Sequence, residues 1–198
     1  MMPPTPGLRH MVRTGALVLA LFAGLARADD YTPVTQLMGN GRLVEAMQKA
    51  DLYLAKNPRD PQMQFLKGLI LQDSGKTAEA IATYVRMSED YPELPEPYNN
   101  VAVLYAAQGQ LDRARGALEA AIRASRSYAV AHENLGDVYA RLAAQAYNQS
   151  QQLDAQNAGL APKLALVRQL IGAASAARPG APATDRARPP APAASASR

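Results

Sequence analysis

The stretch PEPYNNVAVLYAAQGQLDRARGALEAAIRASRSY (95–128) holds the pattern from which the fold can be predicted. Pro95 and Pro97 suit the first turn of a helix, where a missing N–H costs nothing and a fixed φ is already helical. Gly109 interrupts the apolar pattern and allows a tight turn with positive φ. The stretch therefore predicts two helices joined by a short turn, with a small residue, Ala102, where they approach closely.

The same pattern recurs every 34 residues. Four sets of similar residues follow this step: Gly68, Ala102 and Gly136; Gly41, Gly75 and Gly109; Ala46, Ala80 and Ala114; and Leu71, Tyr105 and Tyr139. Small residues are expected where helix backbones meet, and larger ones such as Tyr84 and Leu118 should fill the gaps. A fixed period of this length indicates stacked helix pairs that bury one another's apolar faces.

This period and its residues resemble the tetratricopeptide-repeat (TPR) family over roughly residues 32–157. The third repeat fits best, with Tyr98, Val101, Ala102, Tyr105, Ala114 and Leu118, and it departs at Arg126, where the family has proline. The resemblance implies an all-α TPR solenoid of about three repeats plus a long C-terminal helix and a capping helix. It is specific for the fold and not for a function, because the motif encodes packing.

The period also divides the chain into segments. We predict a signal peptide (1–28), a truncated first repeat (29–60), a second repeat (61–94), a third repeat (95–128), a degenerate fourth repeat with the capping helix (129–177), and a disordered tail rich in Pro, Ala and Arg (178–198). The leading helix of the first repeat should be short, about Pro33 to Met38. No Gly or Pro lies between Asp137 and Asn157, so we expect one continuous helix from about Ala131 to Ala155. The capping helix is expected near Pro162 to Ala173.

The N-terminus has the three parts of a secretory signal. Arg9 and Arg13 precede an apolar run (16–26), and Ala26-Arg27-Ala28 forms a small-x-small cleavage site. The run is shorter than the roughly 20 residues that span a bilayer, which disfavours the alternative of an uncleaved anchor. We therefore predict export to the periplasm, cleavage after Ala28 and no membrane span afterwards.

Charge and composition exclude several classes of protein. Although the whole chain has a net charge of +4, residues 29–177 carry 14 basic and 16 acidic residues, which argues against a nucleic-acid partner. The chain has no cysteine, so disulfides and thiolate sites are excluded. Four arginines against one aspartate in the tail leave two interpretations open: a linker, or a tether to anionic wall or membrane polymers.

Candidates for catalysis are few. His132 is the single histidine after the predicted signal, and packing is the expected role at its place in the repeat. No nucleophile elbow, phosphate-binding loop or dinucleotide fingerprint is present. We therefore expect neither an enzyme nor a bound cofactor or metal.

Candidates for binding are better. By resemblance to the family, the first helix of each repeat lines a concave groove. The predicted peptide-binding residues are Gln62, Phe65, Leu69, Gln72, Asn99, Asn100, Val103, Glu133, Asn134 and Asp137, with Glu96 and Val130 facing the same way. The resemblance also implies that Asn100 and Asn134 hydrogen-bond the backbone of an extended peptide, because an amide both donates and accepts; the alternative is that both are merely solvated. Phe65, Leu69 and Val130 stand where a carboxylate clamp would need Lys or Asn, so that kind of groove is rejected.

The stretches 91–100 and 131–137 resemble exported bacterial TPR proteins. We therefore predict a periplasmic scaffold or adaptor that binds a protein or peptide of the bacterial envelope, as an extended segment or a helix. The alternative is an accessory subunit of a cell-wall-modifying enzyme whose basic tail contacts the wall polymer. An independent hydrolase is the least favoured hypothesis.

Overall fold

The computed structural model describes residues 30–176, and every regular element in that range is a helix. The helices are α1 (30–39), α2 (Leu43–Lys56), α3 (Pro61–Asp73), α4 (Thr77–Asp90), α5 (Pro95–Ala107), α6 (Leu111–Ala124), α7 (Ala129–Leu153) and α8 (Leu160–Ala176). The predicted all-α fold class is confirmed. The predicted signal peptide (1–28) and tail (178–198) lie outside the described residues.

The chain divides after Pro58 into two compact units. The described part of the first contains α1 and α2, joined at Gly41, whose φ is 72°. Val34 of α1 and Ala46 of α2 are buried, and the rings of Tyr31 and Tyr53 lie 5.8 Å apart. The leading helix is longer than the predicted Pro33–Met38 because its buried face extends back to Tyr31.

The second unit contains two helix pairs of the predicted kind, α3 with α4 and α5 with α6. Pro61 and Pro95 are the first residues of α3 and α5, and the Asp60 carboxylate caps α3 by accepting from the Met63 N–H at 2.8 Å. Gly75, at φ 73°, ends α3 as a Schellman turn, in which the Lys76 N–H donates to the Leu71 carbonyl at 2.9 Å. The same geometry at Gly109 closes the next pair, so the 34-residue step is visible in the backbone itself.

The expected close approach is real at Gly68. A Cβ there would stand 2.5 Å from Cε1 of Tyr84, which lies across the pair on α4 and is fully buried. The Tyr84 ring packs in turn on Phe65, with 5.6 Å between ring centroids. A side chain at this position would therefore require the Tyr84 ring to move.

The same expectation is wrong at Gly136, which is exposed and has nothing within 4 Å of a Cβ position. The reason is α7, a single helix of 25 residues. It confirms the predicted continuous helix, and without a folded-back second helix there is no neighbour to approach Gly136.

The C-terminal helix α8 packs on α7 and confirms the predicted capping helix, although it begins at Leu160 and is longer than expected. Leu160 and Leu164 are buried. Within residues 30–176, no helix is both long and apolar enough to cross a bilayer.

Candidate functional site

The residues predicted for the groove come from α3, α5 and α7, and their exposure and contacts differ between the three helices. Phe65 and Leu69 of α3 are 0% and 3% exposed. Their assignment as groove lining is wrong: Phe65 fills the space beside Tyr84 inside the α3–α4 pair, and Leu69 presents almost no surface. Gln62 and Gln72, at the two ends of α3, are half-buried.

Residues of α5 and α7 share a cavity of about 200 Å³, which we call the α5–α7 cavity. Its lining includes Val103 and Ala106 of α5, Asn134 and Asp137 of α7, and Ile171 and Ala174 of α8. The structure therefore brings together three of the predicted site residues, Val103, Asn134 and Asp137. Glu133, one position before Asn134, is exposed.

The contribution of α8 was missed by the sequence analysis. Ile171 and Ala174 belong to a stripe of buried and half-buried residues, Leu160, Leu164, Val167, Ile171 and Ala174. The spacing of four, three, four and three residues is that of one apolar helix face, and it was the available signal. The capping helix thus forms one wall of the cavity.

Three asparagines form a buried chain of amide hydrogen bonds between α7 and α5. Asn134 Nδ2 donates to Asn99 Oδ1 at 2.7 Å, and Asn99 Nδ2 donates to Asn100 Oδ1 at 3.4 Å. Asn99, Asn100 and Asn134 are 2%, 5% and 7% exposed, so the alternative that Asn100 and Asn134 are solvated is wrong. Asn100 Nδ2 ends the chain and has no acceptor among the described residues. Reading of a peptide backbone by these amides stays a prediction.

A half-buried carboxyl lies at the start of α5. Burial raises the pKa of Glu96, and a hydrogen bond to its own backbone N–H offsets part of this effect. Tyr128, the residue before α7, is also half-buried, and its pKa is raised by burial first and then by the negative charge of Glu96. The two groups are therefore close enough to interact, and Tyr128 was not singled out from the sequence.

His132 does not take the packing role expected from its place in the repeat. Its ring is exposed, and Nε2 lies 3.0 Å from the Arg126 carbonyl oxygen in the α6–α7 turn. Within residues 30–176, no three His, Cys, Asp or Glu side chains cluster as metal ligands would.

These helix pairs, with a glycine turn every 34 residues and a cavity between successive first helices, define a helical-repeat protein. The chain belongs to the TPR family, because residues 27–157 match the family model described as "Psidin, N-terminal TPR repeats region". The family predicted from the sequence is thereby confirmed.

Similar proteins extend this assignment. The probable biofilm formation methyltransferase WspC of Pseudomonas putida is 32% identical over 118 residues, which cover 55% of this chain and 28% of WspC. This chain thus corresponds to less than a third of that relative. Among solved structures, the thermophilic TPR protein TTC0263 of Thermus thermophilus gives a TM-score of 0.54 at 22% identity, covering 73% of this chain and 82% of that one. The Yersinia enterocolitica type III secretion chaperone SycD, solved with a peptide of the translocator YopD, gives 0.53 at 15% identity, covering 59% and 94%. At these sequence identities, the similarity to the two solved structures shows a shared fold and nothing further.

Proposed function

We propose that this chain is a protein-interaction scaffold whose α5–α7 cavity binds a segment of a partner protein, as an extended peptide or as a helix. The observation that carries the proposal is the cavity itself, where Val103, Asn134 and Asp137 meet beside the wall formed by α8. Its volume of about 200 Å³ is below the roughly 300–1,000 Å³ of sites that enclose a small molecule. A space of that size suits one or two side chains of a longer segment that continues over the surface.

The chemistry of the lining supports the same proposal. Val103 and Ile171 offer apolar contact, and the same lining holds the charged side chains of Asp137 and Arg141. The SycD structure contains a bound peptide, by its own description. That complex adds support because its fold resembles the fold of this chain. It does not identify the partner of this chain.

The proposal also assigns no catalytic role to this chain. The one histidine of the described region is exposed and contacts a backbone carbonyl, and no three described His, Asp or Glu side chains form a group that could hold a metal ion. WspC is described as a methyltransferase, but the match reaches 28% of its length. If the purified protein shows an enzymatic activity, the same assay on the His132→Ala variant tests this point. We expect the variant to keep whatever activity is found.

We further propose that the protein works in the periplasm, with its partner in the bacterial envelope. The support is the sequence pattern of residues 1–28, which has a basic start, an apolar run and a small-x-small site. Mass spectrometry of the protein from cells should find Asp29 as the mature N-terminus. An intact Met1 in the cytoplasmic fraction would contradict export, and wall binding that disappears on deletion of 178–198 would favour the wall-tether alternative.

The binding proposal is tested by placing a charge in the cavity. Peptides that bind the full-length chain are first selected from a displayed random library, and their affinity is then measured by fluorescence anisotropy. The Val103→Glu variant should weaken binding at least about tenfold, because a carboxylate beside Asp137 replaces the apolar contact that Val103 gives to the cavity. Val44→Glu is the matched control, since Val44 is 73% exposed, and it should bind as the wild type does.

Two results would overturn the proposal. One is a failure to select any peptide. The other is an unchanged affinity in Val103→Glu, which would place binding elsewhere on the chain.

A further inference from the structure

The two halves of α8 are buried to different degrees. Leu160 and Leu164 anchor the first half and are 6% and 4% exposed. In the second half, Ile171 and Ala174 are half-buried, and together with Val103 of α5 they line the α5–α7 cavity. The less buried half of α8 is therefore the half that covers the candidate site.

The cavity is a space that α8 leaves unfilled. Its lining includes four alanines, whose side chains are too short to close the gap between the helices: Ala106, Ala107, Ala140 and Ala174. Apolar surfaces that face a void lose the dispersion contacts that hold packed helices together. The packing of α8 at the cavity is therefore weaker than a filled contact between helices would be.

Gly172 weakens α8 at the same place. It lies between the two cavity-lining residues of α8, is exposed, and has nothing within 4 Å of a Cβ position. No close approach requires a glycine there, and glycine in a helix is less stable than alanine. The end of α8 thus combines a weakened helix with an unfilled contact.

We propose that the end of α8, residues 169–176, is a lid that covers the α5–α7 cavity until an amphipathic helix of the partner replaces it. This inference rests on the proposed function and names both the kind of segment that binds and the step that controls access. The lid begins after Arg168, whose guanidinium donates to Asn148 Oδ1 of α7 at 3.3 Å. It opens by unwinding of this last part of α8.

The form of the partner segment follows from what covers the cavity in this structure. Ile171 and Ala174 are three residues apart and reach the cavity from one helix face. A helix laid into a groove between two other helices is a common mode of peptide recognition. A partner helix with larger apolar side chains at these two places would fill the space that α8 leaves.

A lid and a fixed wall predict opposite effects of a polar residue at position 171. A closed lid reduces the apparent affinity by the fraction of molecules that are open, so a change that loosens the lid tightens binding. If α8 instead stays in place and Ile171 contacts the ligand, the same change removes an apolar contact and weakens binding. The sign of the change therefore separates the two arrangements.

The test uses the full-length chain and two capped synthetic peptides. One peptide has the sequence of residues 160–176 with leucine at the place of Ala174, and the other is a scrambled sequence of the same composition. Affinities are measured by fluorescence anisotropy, and circular dichroism establishes that each variant folds. We expect the first peptide to bind and the scrambled one not to, and Ile171→Asn to bind the first peptide at least about fivefold more tightly than the wild type.

Three further variants assign the effect to the lid. Leu170→Asn makes a similar change on the other face of α8, where Leu170 is 55% exposed, and should bind as the wild type does. Gly172→Ala strengthens the helix without a clash and should weaken binding about twofold to fivefold. Gly116→Ala, the same change at an exposed place on α6, should have no effect.

The outcomes separate this inference from the proposed function. Weaker or unchanged binding in Ile171→Asn would overturn the lid, and so would a failure of both peptides to bind that variant. Tighter binding that persists when Val103→Glu is added to Ile171→Asn would also overturn it, because the peptide would then bind outside the cavity. The proposed function fails separately, when no displayed peptide is selected or when Val103→Glu leaves the affinity of a selected peptide unchanged.

Discussion

Gly68→Ala should destabilise the protein, whereas the same change at Gly136 should stabilise it. The two glycines occupy equivalent places, two periods apart, but their surroundings differ. A methyl group at position 68 would stand 2.5 Å and 2.7 Å from two ring carbons of Tyr84, whereas one at position 136 would meet nothing within 4 Å.

The magnitude follows from these distances. An ordinary carbon–carbon contact is about 3.5 Å or more, so the Tyr84 ring would have to move by about 1 Å. Tyr84 is fully buried against Phe65, so it has no free space to enter. Overpacking of this kind costs about 1–3 kcal/mol, and the better helix propensity of alanine offsets up to about 1 kcal/mol of it. Gly136→Ala has the propensity term alone and should gain about 0.5–1 kcal/mol.

Urea unfolding followed by far-ultraviolet circular dichroism gives the free energy of unfolding of each variant and of the wild type. We expect the order Gly136→Ala, wild type, Gly68→Ala, from most to least stable. Equal stability of the two variants, or a more stable Gly68→Ala, would refute the assignment of Gly68 to the close approach of α3 and α4.

Three further predictions concern single side chains. The pKa of Glu96 is raised in the folded state, so its contribution favours folding below the ordinary carboxyl pKa and is lost as the pH rises. Glu96→Gln should therefore raise the Tm at neutral pH and not at about pH 3, where the carboxyl is mostly protonated in both states. The exposed Glu93→Gln control should show no such pH-dependent gain, and an equal gain there would assign the effect to net charge. Asn134→Ala should lower the free energy of unfolding by about 1–3 kcal/mol in urea titrations, because Asn99 Oδ1 loses its donor while buried; no change would mean that the amide chain contributes nothing. Asp60→Ala should cost about 1 kcal/mol through loss of the α3 cap, seen as faster amide exchange in the first turn of α3, and unchanged exchange there would contradict the capping role.

Much of the fold could be predicted from the sequence because it is repeated. The turn at Gly75 has a local physical cause, a positive φ, that recurs at Gly41 and Gly109 with the same step, so pattern and structure agree there. The long helix α7 was predictable for the opposite reason: nothing between Asp137 and Asn157 could break it. The predicted close approach at Gly136 was wrong. A small residue at this place in the repeat indicates a closely packed second helix, and this unit lacks one.

The candidate site was less predictable because it depends on contacts between elements. Asn134 was selected for its place in the repeat, yet its bond to Asn99 follows from how α7 packs on α5. Ile171 reaches the cavity through the packing of α8 on α7, for which the repeat register gives no guidance. Phe65 holds a place that the family resemblance assigned to the groove, but its ring packs against Tyr84 instead.

The measurement that tests the central claim most directly is site-specific photo-crosslinking from the α5–α7 cavity in living cells. A photoreactive residue replaces Ala106, which lines the cavity, or Val44, which is exposed on α2, and the crosslinked peptides are mapped by mass spectrometry. We expect one continuous segment of one partner to be crosslinked from Ala106 and not from Val44, and a synthetic peptide of that segment should compete. Equal labelling from both positions, or labelling from Val44 alone, would contradict the cavity as the binding site.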